Sequence, residues 1–245
     1  MKKLWRFVWK SVLIFFAASF LITLVFRWIP VPITPLMLIR WGQQLSEDKK
    51  MKLEKDWVAL EDICPHLQLA VVCSEDQNFL KHNGVDFGAL KKALNENEKN
   101  KKRGKKRFRG GSTITMQTAK NVYLWPGRDY IRKAFEFYFS FVIEICWSKE
   151  RIMEVYLNVI EFGDGIYGAE AAARHYFGKS AEQLTKEESA VLATLLPNPR
   201  VYGKNLKTAY LQKRKQFVLQ QMRFWGGKLD YEKYEVENVE PKKKK

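Results

Sequence analysis

Cysteine and histidine are scarce in this sequence of 245 residues. It has three histidines and three cysteines, the latter being Cys64, Cys73 and Cys146. The cysteine spacing matches no metal-binding motif, and an odd number of cysteines cannot form a complete disulfide framework. We therefore expect small buried hydrophobic side chains, with one disulfide as the alternative in an oxidising compartment. The sequence requires no cofactor.

Acidic residues are too few to balance the basic ones. The chain has 27 Asp and Glu against 43 Lys and Arg, which gives a formal net charge of +16 at pH 7. Such a charge attracts nucleic acid, anionic lipid head groups and phosphorylated substrates about equally well, so it does not choose among them. A hydrophobic content of 46% excludes intrinsic disorder as the default state.

Long hydrophobic runs are absent except at the N-terminus. Residues 11–26 carry no charge, and extension to residue 29 gives about the 20 residues that a bilayer span needs. A cleaved signal peptide is the alternative, but its apolar region has about 7–15 residues and ends at a small-x-small site. We predict a retained anchor at 11–29 and a cytoplasmic basic N-terminus at 1–10, because basic residues precede the span.

Strand patterns and internal repeats are also missing from the rest of the chain, whereas helix signals are frequent. Ser148 is a candidate cap for a helix that Gly163 ends, and Thr185 with Glu188 forms a capping box. Residues 207–225 predict a further helix. The sequence therefore predicts a mainly α fold.

The soluble part divides by composition. Residues 30–60 begin with a proline-rich stretch and predict a juxtamembrane linker and membrane-proximal segment. Residues 61–228 are expected to form the domain, and 229–245 a flexible charged tail. The basic run 99–109 predicts a solvated mobile loop, with guidance of an anionic substrate as the alternative.

The stretch GGSTITMQTAKN, residues 110–121, predicts a glycine turn followed by a helix that Ser112 or Thr113 caps. Thr113, Gln117 and Lys120 fall on one face of this helix. A helix N-terminus favours anions, so this face suits a sugar or a phosphate. An ordinary capped helix is the alternative.

Two glutamates stand out by their surroundings. Glu75 follows an apolar run, and partial desolvation there would raise its pKa toward values useful for proton transfer. Glu136 lies among aromatic residues, with Arg128 and Arg132 at four-residue spacing before it. A carboxylate in that setting is costly unless it is used or paired, and surface ion pairs are the simpler interpretation. Nearby, His82 is expected to be a structural hydrogen-bonding residue.

Five motifs in a fixed order carry a resemblance. They are EDQNFLKHNGVD, GGSTITMQTAKN, RKAFE, SKERIMEVYLNVIEFGDGIYGAEAAARHYFGK and ATLLPNP. Together, from about Leu67 to Pro199, they resemble the peptidoglycan glycosyltransferases of the penicillin-binding-protein type. The chain has no room for a transpeptidase domain after Phe224, so it is most similar to the monofunctional biosynthetic transglycosylases of Gram-negative bacteria.

The resemblance implies a lysozyme-like helical glycosyltransferase domain that uses lipid II in an inverting transfer. The growing glycan chain on undecaprenyl pyrophosphate is the implied donor, and the 4-hydroxyl of GlcNAc in lipid II is the acceptor. Glu75 matches the catalytic base, and Glu136 matches a second glutamate near the donor pyrophosphate. Lys120 and Arg128 match basic residues that stabilise the leaving pyrophosphate. Polar residues that line the donor site are matched by Ser112, Thr113 and Gln117.

The resemblance also implies the setting of the enzyme. The expected location is the bacterial inner membrane, crossed once, with a periplasmic catalytic domain. Lipid II, the growing glycan and the membrane are the expected partners, together with other cell-wall synthesis or division proteins; nucleic acid is not expected. A divalent cation, Mg²⁺ or Mn²⁺, could bridge Glu136 and the pyrophosphate. Met116 departs from the family pattern, which has glutamine there.

Two other functions remain open at this point. A lytic, lysozyme-like hydrolase would also use a glutamate, but it has no need for the cations Lys120, Arg128 and Arg132. The second is a membrane-anchored binding protein whose basic run holds nucleic acid or anionic lipid. Nucleic-acid binding would need aromatic residues for base stacking, and the basic run contains only Phe108. Leu36, Met37 and Trp41 are expected to touch the bilayer.

Overall fold

The computed structural model describes residues 1–46, 51–104, 110–127 and 129–232. In this part of the chain the fold is mainly α, as predicted. The helices are α1 Lys2–Val25, α2 Pro35–Ser46, α3 Pro65–Glu75, α4 Phe87–Lys102, α5 Ile114–Tyr123, α6 Tyr130–Cys146, α7 Lys149–Val159, α8 Ala169–Phe177, α9 Lys186–Leu195, α10 Pro199–Tyr202 and α11 Ala209–Phe224. Short 3₁₀ turns lie at Leu60–Asp62 and Phe79–Lys81.

Helix α3 is the centre of the core. All residues from Leu67 to Cys73 are buried, and the helix packs against α9 and α11. A helix that is buried on every side has no polar face, which explains why this stretch is apolar except for Gln68, whose amide donates to the Ile63 carbonyl at 3.0 Å. The buried run ends at Cys73, so Glu75, the last residue of α3, lies at the edge of the core and is partly exposed.

A small sheet was not predicted from the sequence. Strands β1 Glu54–Lys55, β3 Ile166–Tyr167 and β2 Glu161–Gly163 lie in that order, with β1 parallel and β2 antiparallel to β3. The prediction that Gly163 ends a helix is wrong, because α7 ends at Val159 and Ile160 is already extended. Two- and three-residue strands are too short to show an alternating pattern.

Several helix boundaries confirm the sequence prediction. The Ser148 side chain caps α7, and Thr185 and Glu188 form the expected capping box at α9. Thr208 caps α11 within the predicted range. The mobile loop predicted for 99–109 is wrong in its first part, because α4 continues to Lys102. Residues 105–109 lie outside the described part of the chain.

The three cysteines and two hydrophobic residues of α2, the helix after the anchor, are buried. All three cysteines are buried and unbridged, as expected for small hydrophobic residues. Leu36 and Met37 are only 4% and 0% exposed, so their predicted contact with the bilayer is wrong. They face the core because α2 packs on α5. Trp41 is 43% exposed and remains available for such contact.

Helix α1 is the one described helix that is long and apolar enough to cross a membrane, which fits a single-pass anchor. The C-terminal half of α1 is hydrogen-bonded to the domain. The Ser19 hydroxyl lies 2.6 Å from the Tyr138 hydroxyl on α6. Thr23 accepts a hydrogen bond from the Tyr123 hydroxyl at 3.0 Å, and its carbonyl accepts one from Trp147 at 2.7 Å.

We expect Thr23→Val to lower the melting temperature of the full chain in detergent by about 2–4 °C, because it leaves the Tyr123 hydroxyl unpaired at a net cost of about 1 kcal/mol. The matched control is Ser11→Ala in the same helix, since the Ser11 hydroxyl only bonds the Phe7 carbonyl. Equal melting temperatures for the two variants would show that the hydrogen bond between Tyr123 and Thr23 does not contribute to stability.

Candidate active site

The carboxyl group of Glu75 lies at the end of α3, and its side chain is 14% exposed. The Ser74 hydroxyl donates to Oε1 at 3.0 Å, and the Gln117 amide donates to Oε2 at 3.1 Å. The guanidinium of Arg214 lies 3.9 Å from Oε1 and also donates to the Ser74 hydroxyl at 3.1 Å. A carboxylate has about four acceptor positions, so this group retains capacity to accept a proton.

Burial raises the pKa of Glu75, whereas the hydrogen bonds from Gln117 and Ser74 and the charge of Arg214 lower it. Burial is the largest of these effects, so the pKa of Glu75 lies above its ordinary value. A general base works best when its pKa approaches the working pH. The predicted partial desolvation of Glu75 is therefore confirmed.

The neighbouring Asp76 holds the frame of the site. Its carboxylate accepts hydrogen bonds from the backbone N–H of Ile114 and from the His82 ring, each at 2.9 Å. These bonds tie the end of α3 to the start of α5. His82 is a structural hydrogen-bonding residue, as predicted.

Helix α5 presents part of its predicted polar face to the cleft. The Thr113 hydroxyl caps the helix by accepting from the Met116 N–H at 3.1 Å, and it donates to the Gly84 carbonyl. Because this hydroxyl is 3% exposed and already engaged, the geometry gives no support to a substrate-binding role for Thr113. Gln117 and Lys120, by contrast, line a cavity of about 340 Å³.

The orientation of Gln117 is fixed by a second contact. The Tyr156 hydroxyl donates to its Oε1 at 3.1 Å, which directs the amide NH₂ toward Glu75. Met116, which replaces the glutamine of the family pattern, is fully buried. The departure therefore changes a core position and leaves the cavity lining intact.

Glu136 is buried on α6 at 3% exposure and is paired, as one of the sequence interpretations expected. Its Oε1 bonds Arg132, and its Oε2 accepts from Lys133 at 2.8 Å. Lys133 also donates to the Ser112 hydroxyl at 2.9 Å, which links this cluster to the start of the α5 segment. The three charges carry a net charge of +1, because two cations surround one carboxylate.

Lys120 lies in the field of this cluster. Burial lowers the pKa of the Lys120 ammonium, and Glu136 opposes that shift while Arg132 adds to it. Among the described side chains, Lys120 has no hydrogen-bonding or ion-pair partner. A partly buried cation of this kind is suited to an anionic ligand. Arg128, the other predicted pyrophosphate ligand, lies outside the described residues.

The cluster around Glu136 does not by itself form a metal site. Both oxygens of Glu136 are already bound by cationic side chains. The described residues contain no group of three His, Cys, Asp or Glu that could hold a metal ion. Binding of Mg²⁺ or Mn²⁺ at Glu136 stays a prediction, and no step below depends on it.

Sequence reasoning missed several residues that the fold brings to this cleft. Arg214 reaches Ser74 from 140 residues away along the chain, and Tyr156 reaches Gln117 from α7. Arg40 and Glu161 line the same cavity as Lys120. Only Lys133 had a local signal, its three-residue spacing from Glu136; the others depend on tertiary packing.

Known proteins are similar to this chain over most of its length. A family model described as Transglycosylase matches residues 42–223. The chain is 46% identical over 244 residues to the biosynthetic peptidoglycan transglycosylase of Bacteroides thetaiotaomicron, covering 100% of this chain and 96% of that protein. Proteins of the same name from Bdellovibrio bacteriovorus and Haemophilus influenzae are 46% and 45% identical, over 87% and 90% of this chain and 84% and 89% of theirs.

Proposed function

The chain belongs to the transglycosylase family, and we propose that it polymerises lipid II into glycan strands with release of undecaprenyl pyrophosphate. It is a peptidoglycan glycosyltransferase of cell-wall biosynthesis. The finer proposal concerns the substrate and the course of the transfer. In this proposal the transfer inverts the configuration at the anomeric carbon of the donor.

One observation carries the proposal: a single helix joins a proton acceptor to a cationic site. Gln117 and Lys120 are one turn apart on α5, which corresponds to about 5 Å along the axis. Gln117 contacts Glu75, and Lys120 lies in the field of Glu136 and Arg132. The transfer needs a base for the incoming hydroxyl and a cation for the leaving phosphate. Both groups must be close enough to act on the same reacting substrates at once.

The proposed step uses these groups as follows. Glu75 takes the proton of the 4-hydroxyl of GlcNAc in lipid II as that oxygen bonds to the anomeric carbon of the donor. The bond from this carbon to the pyrophosphate breaks, and its electrons stay with the leaving pyrophosphate. Lys120 and Arg128 stabilise the growing negative charge, because preorganised cations in a site poor in water lower the barrier. Gln117 and Ser74 hold the Glu75 carboxylate in place.

The proposal includes the orientation of the chain. Basic residues before α1 favour a cytoplasmic N-terminus, which would put the catalytic domain in the periplasm beside the outer leaflet of the inner membrane. The lipid-linked substrate would then reach the cleft from the bilayer in which α1 is anchored. The boundaries 30–60, 61–228 and 229–245 remain predictions.

Substitution of Lys120 tests the pyrophosphate site. We expect Lys120→Met to lower the rate of lipid II polymerisation about 10²- to 10³-fold, as removal of one preorganised charge-stabilising donor does elsewhere. The matched control is Lys213→Met on the exposed surface of α11, which should leave the rate unchanged. The same rate for both variants would remove Lys120 from the leaving-group site.

The pH dependence tests Glu75. Because a general base acts in its ionised form, kcat/KM should fall as the pH is lowered through the pKa of Glu75. That pKa is raised by burial, so the acidic limb should lie above the ordinary value of about 4.3. Arg214, Asp76 and Tyr156 are the other ionisable groups at this carboxyl. An acidic limb below the ordinary value would contradict the assignment.

A further inference from the structure

Glu161 is a buried carboxyl group that the mechanism above does not use. It is the first residue of β2 and is 8% exposed. Its Oε1 has no hydrogen-bonding partner, and the carboxyl accepts one bond from the backbone N–H of Gly165. No cation of the described residues lies within 4 Å of it. A buried carboxylate with one unsatisfied oxygen and no ion-pair partner is costly, so its retention needs an explanation.

Glu161 lines the same cavity as Gln117 and Lys120. The cavity volume of about 340 Å³ is within the range of small-molecule sites. Arg40 lines the cavity as well, and its Nε is buried without a partner. Arg40 donates to the Gln43 side chain at 3.0 Å, so each of these two oppositely charged side chains has one satisfied and one unsatisfied polar atom. Both line the cavity that also includes Gln117, the hydrogen-bonding partner of Glu75.

The cavity lining carries charges of both signs, and the charge of Glu161 raises the pKa of Lys120. Lys120 provides a cation suited to a phosphate, whereas the carboxylate of Glu161 repels one. A carboxylate oxygen accepts hydrogen bonds from hydroxyl and amide N–H groups, and apolar side chains such as Leu36, Ile160 and Leu196 can pack on the face of a pyranose ring. This combination fits a sugar better than a second phosphate.

We propose that Glu161 is a specificity-determining residue that accepts a hydrogen bond from a hydroxyl or acetamido N–H group of a sugar unit bound beside Lys120. The inference rests on the proposed function, since it assigns the part of the same cavity around Glu161 to the glycan. Arg40 lines the same cavity, and its charge lowers the pKa of Glu161 and so favours the carboxylate form that accepts hydrogen bonds.

A structural explanation for Glu161 is weaker. Arg200 pairs with Asp164 at 2.9 Å, and its charge lowers the pKa of Glu161 by less than burial raises it. Burial raises the pKa of Glu161 more than Arg40 lowers it, so ionisation of this group opposes folding at neutral pH. A residue that costs stability and lines a binding cavity has the character of a functional group.

The first test compares stability with substrate affinity in the full chain in detergent. Glu161→Gln should leave the melting temperature unchanged or higher, and it should raise the KM for lipid II about 10-fold because a charge-assisted hydrogen bond is lost. Glu161→Met, which has no carboxyl oxygen, should do the same or more. A lower melting temperature with an unchanged KM would overturn the proposal, because that pattern indicates a structural role.

Glu170→Gln is the matched control. Glu170 is 5% exposed, accepts from the Ala181 N–H at 2.7 Å and pairs with Arg174 at 2.7 Å. Its carboxyl is therefore a satisfied structural group. The control should lower the melting temperature and leave the KM unchanged, which is the reverse of the result expected for Glu161.

The second test measures binding without turnover, with chitotetraose and inorganic pyrophosphate as separate probes. Glu161→Gln should weaken chitotetraose binding about 10-fold and leave pyrophosphate binding unchanged. No chitotetraose binding by the wild type, or equal binding by the variant, would overturn the inference. Glu161-dependent chitotetraose binding by a chain that does not polymerise lipid II would refute the proposed function and leave the saccharide site standing.

Discussion

Glu75→Gln is expected to lower the rate of glycan polymerisation about 10²- to 10⁴-fold, the usual contribution of a general base. Glutamine keeps the size of the side chain and can still contact Gln117 and Ser74, but it cannot take a proton from a sugar hydroxyl. Burial raises the pKa of Glu75, so the ionised carboxyl costs folding free energy at neutral pH. The variant should therefore fold at least as stably as the wild type.

The initial rate of lipid II consumption and the melting temperature should be measured on the same preparation. Glu182→Gln is the control, because Glu182 is exposed in the loop before α9 and its substitution should change neither quantity. Loss of activity together with loss of fold would not support a catalytic role for Glu75. Retention of more than a tenth of the wild-type rate would contradict it.

Glu136→Gln is expected to lower the free energy of unfolding by about 3–5 kcal/mol, the usual cost of breaking a buried ion pair from one side. The substitution leaves the buried Arg132 guanidinium with Asp129 at 3.9 Å as its remaining acidic partner. For a domain of this size the melting temperature should fall by about 6–20 °C. Lys133 would also lose the contact that directs it toward Ser112.

Thermal unfolding of the full chain in detergent measures this effect. The control is Glu98→Gln, which removes one partner of an exposed pair with Lys102 and should cause no measurable change. If Glu136→Gln has the same melting temperature as the wild type, the cluster of Glu136, Arg132 and Lys133 does not stabilise the fold.

Local sequence signals predicted those parts of the site that depend on spacing within one helix. The capping residues, the end of the apolar run before Glu75 and the pairing of Arg132 with Glu136 are all set within a few residues. Thr113 shows the limit of such signals, since a hydroxyl that caps a helix and one that binds a ligand have the same local sequence. The role is visible only in the structure, where the Thr113 hydroxyl also donates to the Gly84 carbonyl and so is not available to a ligand.

The remaining features could not be predicted because they depend on distant parts of the chain. Arg214, Tyr156 and Glu161 reach the cleft from three separate elements whose packing no local pattern encodes. The short strand containing Gly163 exists because it pairs with β3. Leu36 and Met37 look like bilayer contacts by hydrophobicity, yet they are buried where α2 meets α5.

The most direct measurement gives the purified full chain labelled lipid II in detergent and resolves the products by size, before and after lysozyme treatment. Glu75→Gln is assayed beside the wild type. The account predicts a lysozyme-sensitive polymer from the wild type and none from the variant. Shortening of added glycan strands, without any polymer from lipid II, would contradict the account and indicate a hydrolase.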